Sequence, residues 1–444
     1  MSSAQDAATV VGHLRANGFE AYWVGGCVRD TLLGNVPKDY DVATNAKPSD
    51  IERLFPEHYP VGKSFGVMIV SVPSGGVEVA TYRSEEGYSD RRRPDQVVWS
   101  DAKGDVLRRD FTINGLLYDP ETKEVIDYVE GQRDLALGLI RAIGVPSARF
   151  AEDPLRILRA VRLKNTLGFQ YDRPTYQALH DAAPSITHIS MERIGHELSR
   201  MFGHSSREQA VRDLDQIGLL QILLPEVVAT KGTPQPREFH KEGDVFEHLL
   251  LSLKAVPADA PSFLAWAALL HDVAKPLVIK YPAAGSTGRI TTYGHAKQSA
   301  AVSRRILTRL RQPNTEIEVV EWLIANHMSL AHIEQLRPAK REQFVLDPRF
   351  PWLLELHHAD AAGALPVDLG MYNQNLALYK RMKAAHAEHI AATPPLLLDG
   401  HDLIALGVPA SPKIPELLEA VRNAQLVGKV TNKETALAFV RTLL

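Results

Sequence analysis

Two short stretches near the N-terminus, Val24-Gly-Gly-Cys-Val-Arg-Asp30 and Lys38-Asp-Tyr-Asp41, decide how the first part of the chain folds. Alternate side chains of an extended segment share a side, so Asp39 and Asp41 are predicted on one side of a strand, with Tyr40 opposite. Two carboxylates directed at one point repel each other unless a cation lies between them. Hard oxygen ligands of this kind suit Mg²⁺.

The glycine pair between these acids and the preceding strand adds phosphate chemistry. Gly25 and Gly26 would let backbone N–H groups approach a triphosphate, and Arg29 adds a charge that phosphate binds. A polar turn after a buried strand is the alternative explanation. The combined spacing favours a site for a metal and a triphosphate.

Length and composition limit the class of protein. The chain has 444 residues, of which 45% are hydrophobic and 23% charged, which is typical of a soluble globular protein. This length predicts about two to four domains. No apolar run reaches the ~18–20 residues that span a bilayer, and the N-terminus lacks the plan of a signal peptide. With a single cysteine, Cys27, the chain is predicted to be cytoplasmic, without disulfides and without membrane association.

The hydrophobic periodicity changes along the chain. Residues 1 to about 145 mix helix and strand signals, and Val67–Val72 and Val77–Tyr82 are β-branched runs around a Pro-Ser-Gly-Gly turn, which is typical of a hairpin. From about residue 150 onward apolar residues recur at helical spacing. Residues 230–236 are rich in Pro, Gly and Thr, which predicts a linker. An α/β head followed by an all-helical remainder is expected.

Further polar groups accompany the two aspartates. Glu78 would supply a third metal-binding carboxylate, or else lie exposed on an edge strand. The stretch Arg108-Arg-Asp-Phe-Thr-Ile-Asn114 groups guanidinium, carboxylate and amide side chains that would hold phosphates or a ribose hydroxyl. Solvated arginines at a helix start are the alternative.

A second polar motif, Glu152-Asp-Pro-Leu-Arg156, opens the helical region. Asp153 and Arg156 are three residues apart, so they are predicted to share one helix face. They offer an acceptor and a forked donor, which is the inventory needed to read a nucleobase edge. Arg159 and Arg162 would continue that face. A capped helix start with surface ion pairs is the alternative.

Taken in order, these motifs resemble those of the class II tRNA nucleotidyltransferases, which include CCA-adding enzymes and bacterial poly(A) polymerases. The resemblance covers about the first 215 residues. It implies an α+β fold with a polymerase-beta-like nucleotidyltransferase head and a helical neck. It also implies that Asp39 and Asp41 are the catalytic, Mg²⁺-binding pair. The remaining motif residues would bind the nucleotide, with Glu152, Asp153 and Arg156 as a protein template: Gly25, Gly26, Arg29, Arg108, Arg109, Asp110, Asn114, Glu152, Asp153, Arg156, Arg159 and Arg162.

One segment bears on which reaction is expected. Relatives that add only CC lack a flexible loop before the Arg-Arg-Asp motif, whereas this chain has a charged loop from Arg83 to Val106. The loop argues against a CC-only enzyme. It leaves open a full CCA enzyme, an A-adding enzyme and a poly(A) polymerase. Residues 425–444 carry only three lysines and arginines, which modestly favours a tRNA enzyme over a poly(A) polymerase.

The helical region contains a second constellation of histidine and aspartate. Imidazole and carboxylate together suit transition metals such as Ni, Mn, Co, Fe or Zn. Buried polar residues of helices are the alternative. The order of the residues resembles the HD superfamily of metal-dependent phosphohydrolases over about residues 240–365, which implies metal ligation by His248, His271, Asp272, His295, His327 and Asp360. Lys275 would assist phosphate binding, and His240 lies nearby without an assigned role.

These inferences predict four domains and a tRNA-end enzyme. The domains are a head (1–145), a neck (146–230), an HD domain (236–365) and a tail (366–444) with RNA contacts. The predicted reaction is template-independent addition of CCA from CTP and ATP to tRNA, with an associated phosphohydrolase activity and no DNA substrate. The alternatives are an A-adding enzyme or poly(A) polymerase and, in another class, an HD phosphohydrolase with an RNA-binding head. The net charge of −3 requires any RNA-binding surface to be local.

Overall fold

The computed structural model describes residues 3–62, 66–86, 96–236, 238, 240–283, 289–392, 396–426 and 428–444. Its strands are β1 (Ala21–Val24), β2 (Asp41–Thr44), β3 (His58–Gly62), β4 (Val67–Val72), β5 (Gly75–Thr81), β6 (Arg83–Glu86), β7 (Gln96–Trp99), β8 (Leu116–Tyr118), β9 (Val125–Asp127), β10 (Leu139–Ile140) and β11 (Gln170–Tyr171). The helices up to residue 230 are α1 (Ser3–Ala16), α2 (Gly26–Leu32), α3 (Pro48–Leu54), α4 (Ala102–Leu107), α5 (Gly131–Leu137), α6 (Pro146–Glu152), α7 (Leu155–Leu167), α8 (Arg173–Ala182), α9 (Met191–Phe202), α10 (Arg207–Ile217), α11 (Leu219–Leu223) and α12 (Pro225–Val228).

Helices continue through the rest of the described chain. They are α13 (Val245–Ala255), α14 (Ser262–Leu270), α15 (Lys275–Val278), α16 (His295–Arg309), α17 (Asn314–Asn326), α18 (Pro338–Val345), α19 (Phe350–Gly363), α20 (Gly370–Ala392), α21 (Gly400–Ala405), α22 (Lys413–Leu426) and α23 (Lys433–Arg441). Short 3₁₀ helices cover Thr112–Asn114, Ala183–His188 and His327–Gln335. No described helix is both long and apolar enough to cross a membrane.

The head is built on a mixed seven-stranded sheet in the order β3-β4-β5-β2-β1-β8-β9. Strands β2 and β5 are parallel, and this pairing sets Asp41 directly beside Glu78. The predicted hairpin is confirmed, although its second strand begins at Gly75 rather than Val77. Because β5 lies between β4 and β2, the expectation that Glu78 occupies an edge strand is wrong.

Two local expectations around the acids need correction. Asp39 is exposed and precedes β2, which begins at Asp41, so only one of the two aspartates belongs to the strand. Tyr40 does point the other way, because its ring packs edge-on against Trp23 at 4.6 Å. Asp153 caps the end of α6 in an extended conformation, so it does not share a helix face with Arg156 in α7.

The chain divides into two compact units. One comprises residues 1–335 and 349–372 and holds the head and most of the helices. The other comprises 336–348 and 373–444, and its own core includes Leu403, Val421 and Val440. The predicted linker 230–236 is part of the first unit, where Thr230 is fully buried and Gln235 almost so. The described parts of the predicted Arg83–Val106 loop form the β6–β7 hairpin and α4, while residues 87–95 lie outside the described residues.

Helix α9 links the head region to the later helices of the first unit. A Cβ added at Gly195 would lie 2.1 Å from the carbonyl oxygen of Leu310, so only glycine permits this approach. One turn on, Ser199 Oγ donates to Gln312 Oε1 at 2.8 Å, and it accepts from Trp266 Nε1 at 3.2 Å. The indole of Trp266 also packs edge-on against Phe202 at 4.5 Å.

We expect Gly195→Ala to lower the free energy of unfolding by about 1–3 kcal/mol, because the methyl group must displace backbone. Gly12→Ala is the matched control, since Gly12 lies on the exposed face of helix α1 and nothing lies within 4 Å of its Cβ position. That control is expected to stabilise by about 0.5–1 kcal/mol. Thermal melts followed by circular dichroism measure both. Equal midpoints for the two variants would show that the Gly195 contact is not tight in solution.

Candidate active sites in the head and the helical region

The head cleft is an open cavity of about 460 Å³ between the head and helices α7 and α9. Its lining carries eight arginines and three aspartates. Most of the predicted residues line it: Gly25, Gly26, Arg29, Asp41, Arg108, Arg109, Asp110, Asn114, Asp153, Arg156, Arg159 and Arg162. Four residues that were not predicted as site residues also line it: Leu155, Leu163, Arg193 and Arg200. Three predicted residues, Asp39, Glu78 and Glu152, lie outside the lining.

Like charges meet at the head end of the cleft. Burial raises the pKa of Asp41 to about 6, helped by the negative charges of Glu78 and Asp39 and opposed by Arg109. Partial desolvation also raises the pKa of Glu78, although its side chain keeps contact with solvent. A divalent cation would relieve this repulsion, and carboxylates are the ligands that Mg²⁺ prefers. The residues therefore fit a magnesium site, with Asp41 at its centre.

Backbone geometry requires glycine at position 25, the first of the glycine pair. Gly25 caps α2 with φ of 80° and ψ of −133°, a region that other residues rarely adopt. A Cβ at this position would also lie 3.4 Å from Arg109 Nη1. Cys27, the second residue of α2, is buried, and burial raises the pKa of its thiol to about 11. The cysteine therefore packs as a neutral thiol.

A buried carboxylate, Asp105, orients two of the arginines. Arg108 Nη2 donates to its Oδ1 at 2.6 Å, and Arg109 Nη2 donates to its Oδ2 at 2.9 Å. The side chain of Asp105 is fully buried. The motif analysis missed this residue, although its position three and four residues before the arginines on one helical turn is a signal for such pairing.

A chain of hydrogen bonds ties α2 to α7 across the cleft. Arg29 Nη1 donates to Asn114 Oδ1 at 2.8 Å, and Asn114 Nδ2 donates to Asp110 Oδ1 at 3.1 Å. Arg159 completes the chain with an ion pair of 2.7 Å to Asp110 Oδ2. Burial alone would raise the pKa of Asp110, but these donors hold it at about 2.

The predicted base-reading residues are each held by a partner. Asp153 accepts from Arg193 Nη2 at 2.7 Å, and Arg156 Nη1 donates to Glu152 Oε2 at 2.7 Å. Glu152 therefore braces Arg156 from behind instead of lining the cleft. Arg193, which the motifs did not single out, is placed beside Asp153 by helix α9.

The histidine cluster of the helical region comprises the six predicted metal-binding residues. They form two groups whose ligand atoms lie within 4.8 Å of one another: His248, His271 and Asp360, and then Asp272, His295 and His327. In the first group Nε2 of His248 is 3.3 Å from Nε2 of His271 and 3.0 Å from Oδ1 of Asp360. Ligands about 2.0–2.1 Å from one transition metal lie roughly 2.9–3.4 Å apart, which matches these distances.

Asp272 is a member of the second group and also contacts the first. Its Oδ2 is 3.4 Å from His271 Nε2, and its Oδ1 is 3.1 Å from His295 Nε2. Oδ1 is buried without a hydrogen bond of good geometry. Lys275, also buried, donates to Oδ2 at 2.5 Å and to Gln235 Oε1 at 2.7 Å.

The orientation of the imidazoles fits metal ligation. Nδ1 contacts the carbonyl oxygen three residues earlier in His271 (2.9 Å), His295 (2.8 Å) and His327 (2.7 Å). A carbonyl only accepts, so each Nδ1 carries a proton, and in a neutral ring Nε2 presents a lone pair to the cluster. Burial lowers the pKa of His327 to about 4, which keeps its ring neutral. The carboxylates of Asp272 and Asp360 instead raise the pKa of His271 to about 10, so its Nε2 holds a second proton, which a bound cation would replace.

The head carboxylates are less tightly gathered than the histidine cluster. Among the described residues, the oxygens of Asp39, Asp41 and Glu78 do not all lie within 4.8 Å of one another. The difference follows from Asp39, which is exposed on the segment before β2. The sequence pattern had predicted Asp39 and Asp41 on the same side of one strand.

Comparison with known proteins agrees with this architecture. Three family models match: the poly A polymerase head domain over residues 21–141, the probable RNA and SrmB-binding site of polymerase A over 168–230, and the HD domain over 245–364. The CCA-adding enzyme of Lactiplantibacillus plantarum is 31% identical over 435 residues, which cover 98% of this chain and 94% of that protein. This chain belongs to the CCA-adding enzyme family.

The CCA-adding enzyme family also has solved structures. That of the Bacillus stearothermophilus CCA-adding enzyme in complex with CTP is 25% identical, with a TM-score of 0.65, and the match covers 100% of this chain and 98% of that one. Poly(A) polymerase I of Haemophilus influenzae is 37% identical over 238 residues, but this match covers only 51% of this chain and 52% of that protein. The predicted family and the predicted fold class, an α/β head followed by helical regions and an HD domain, are confirmed.

The burial of Asp41 beside the negative charges of Glu78 and Asp39 predicts that the stability of the protein depends on pH. Because its folded pKa of about 6 exceeds the ordinary value of about 4, ionisation of Asp41 costs stability as pH rises through that interval. Glu78→Gln removes the negative charge beside Asp41. With a chelator present at about pH 7.5, the melting midpoint is therefore expected to rise, by about 2–4 °C for each kcal/mol of charge repulsion removed. At about pH 5 the gain should shrink.

Glu124→Gln is the control for this experiment, because Glu124 is an exposed carboxylate of the same head domain. Its midpoint should follow that of the unaltered protein at both pH values. A gain in Glu78→Gln that is equal or larger at about pH 5 would contradict the proposed repulsion.

Proposed function

We propose that the head cleft adds C, C and A in turn to the 3′ end of tRNA, from CTP and ATP and without a nucleic-acid template. The observation that carries this proposal is the pairing of Asp41 with Glu78 at one end of a cleft lined by eight arginines. Carboxylates that need a cation and guanidinium groups that need an anion together fit a metal–nucleoside triphosphate complex. Family membership over the full length of the chain supports it.

The roles of the residues follow from their positions. Asp41, with Asp39 and Glu78, would hold Mg²⁺, which when bound supplies charge neutralisation and activation of the attacking hydroxyl. Arg108 and Arg109, oriented by Asp105, would bind the triphosphate. The backbone at Gly25 and Gly26 would bring N–H groups close to the same phosphates.

Base selection is assigned to Asp153 and Arg156. Cytosine and adenine each present an amino donor beside a ring-nitrogen acceptor, whereas uracil and guanine present the reverse. The carboxylate of Asp153 would accept from the amino group, and Arg156 would donate to the ring nitrogen. Both side chains are fixed by Arg193 and Glu152, so a reversed edge would leave polar groups unpaired.

We expect the purified protein with Mg²⁺ to add C and then a single A to tRNA that lacks its CCA end. On tRNA ending in CC it should add one A from ATP alone. Labelled CTP and ATP, supplied separately and followed on sequencing gels, measure this. Asp41→Asn should lose at least about 100-fold in rate, because it removes a metal-binding charge needed in the transition state.

An unrelated RNA of equal length is the control substrate. It should receive little label, since the helical neck and tail would recognise the folded acceptor arm through its phosphates. Long A tails on either RNA would overturn CCA addition and favour a poly(A) polymerase. This alternative is retained because poly(A) polymerase I of Haemophilus influenzae is among the relatives.

For the histidine cluster we propose a metal-dependent phosphohydrolase activity on a terminal or 2′,3′-cyclic phosphate of RNA. The supporting observation is that Asp272 joins two groups of inward-facing ligands. A transition metal bound there would supply a water of lowered pKa. The residues themselves fix the ligand tautomers, and Lys275 would balance negative charge beside Asp272.

We expect His271→Ala and Asp272→Ala each to abolish phosphate release from such an RNA end while CTP incorporation by the head cleft continues. The reason is that each variant removes a ligand from the cluster and leaves the head cleft untouched. His332→Ala is the control, because His332 is exposed and lies outside both ligand groups. Unchanged phosphate release in the two variants would refute the proposed hydrolysis.

A further inference from the structure

We propose that Glu242 is a positioning residue for the histidine cluster, one that strengthens metal binding by accepting the Nδ1 proton of His248. This inference rests on the proposed metal site. The side chain of Glu242 is fully buried, and its Oε1 lies 3.1 Å from Nδ1 of His248. Motif spacing did not single this residue out.

His248 differs from the other three histidines of the cluster in its acceptor. The Nδ1 atoms of His271, His295 and His327 all contact backbone carbonyl oxygens. Of these four Nδ1 atoms, only that of His248 contacts a carboxylate oxygen. An anionic acceptor draws the Nδ1 proton more strongly, so Nε2 becomes a better electron donor, and this arrangement is widely used to orient metal-binding imidazoles.

The charge balance around Glu242 points the same way. Its Oε1 is shared with Nδ1 of His240 at 2.7 Å. Within the described ranges, no lysine or arginine forms an ion pair with it. A buried carboxylate is costly without positive charge nearby. A cation on Nε2 of His248 polarises the ring and would supply that charge through the Nδ1–H bond.

Glu242 also connects two segments that carry ligands. Its Oε2 accepts from the backbone N–H of Leu365 at 2.8 Å, and Lys241 N–H donates to the Leu365 carbonyl at 2.8 Å. Leu365 follows α19, the helix that contributes Asp360. One carboxylate therefore holds the ring of His248 and the end of the segment that carries Asp360.

His240, Glu242 and His248 also lie close enough to form a ligand group of their own. A neutral imidazole that binds a cation through Nε2 keeps its remaining proton on Nδ1, so Nδ1 of His248 is not available to a second ion. Nδ1 then donates, and Glu242 accepts. The carboxylate acts through His248 and does not need to touch the metal.

The test measures Ni²⁺ binding to the full-length protein by isothermal titration calorimetry. The part of the binding heat that is lost in the Asp272→Ala variant is assigned to the histidine cluster. Glu242→Gln keeps the size of the side chain and removes its charge. We expect about 10–100-fold weaker Ni²⁺ binding. CTP incorporation by the head cleft should be unchanged, which verifies that the variant is folded.

Glu247→Gln is the matched control. Glu247 precedes His248 in the same helix, but its carboxylate pairs with Arg212 at 2.8 Å. It should bind Ni²⁺ as the unaltered protein does. If Glu242→Gln binds Ni²⁺ within about twofold of that affinity, the positioning role is wrong. If the unaltered protein shows no heat that Asp272→Ala removes, the proposed metal site itself fails.

Discussion

The ion pair between Asp110 and Arg159 is the interaction on which the head cleft depends. It joins the segment after α4 to helix α7, so it links the sheet that carries Asp41 to the helix that carries Arg156. Asn114 and Arg29 extend the same network to α2. Because the carboxylate is nearly buried, its ionisation is sustained by Arg159, by Asn114 and by the backbone N–H of Phe111. The walls of the cleft are thus held in register by charge rather than by apolar packing alone.

The two candidate sites collect negative charge and lone pairs in different ways. In the head, the parallel register of β2 and β5 sets Asp41 beside Glu78, and arginines surround them. This site is an open cleft whose arginines can bind the phosphates of an incoming substrate. In the helical region, helix ends deliver His271, Asp272 and His327, and backbone carbonyls fix the rings. That site is buried and already arranged as a ligand shell. An open site suits a metal that arrives with a nucleotide, and a closed one suits a resident metal.

Helix α9 gives the first unit its continuity. One side of it supplies Arg193 and Arg200 to the head cleft, and another packs through Gly195 and Ser199 against the turn after α16 and against Trp266 of α14. Helix α14 leads directly into His271 and Asp272 of the histidine cluster. The same helix therefore borders one site and supports the element that leads to the other.

The sequence by itself determined the family and the division into an α/β head and helices, and it singled out most of the side chains that line the head cleft and form the histidine cluster, because metal and phosphate chemistry need particular side chains at short spacings. Only the tertiary structure decided that Asp39 lies outside β2, that Glu152 pairs with Arg156, that Asp105 pairs with Arg108 and Arg109, and that Glu242 contacts His248. Such supporting residues have no motif of their own. Their role arises from contacts between side chains, and those depend on how the elements pack and where each side chain is directed.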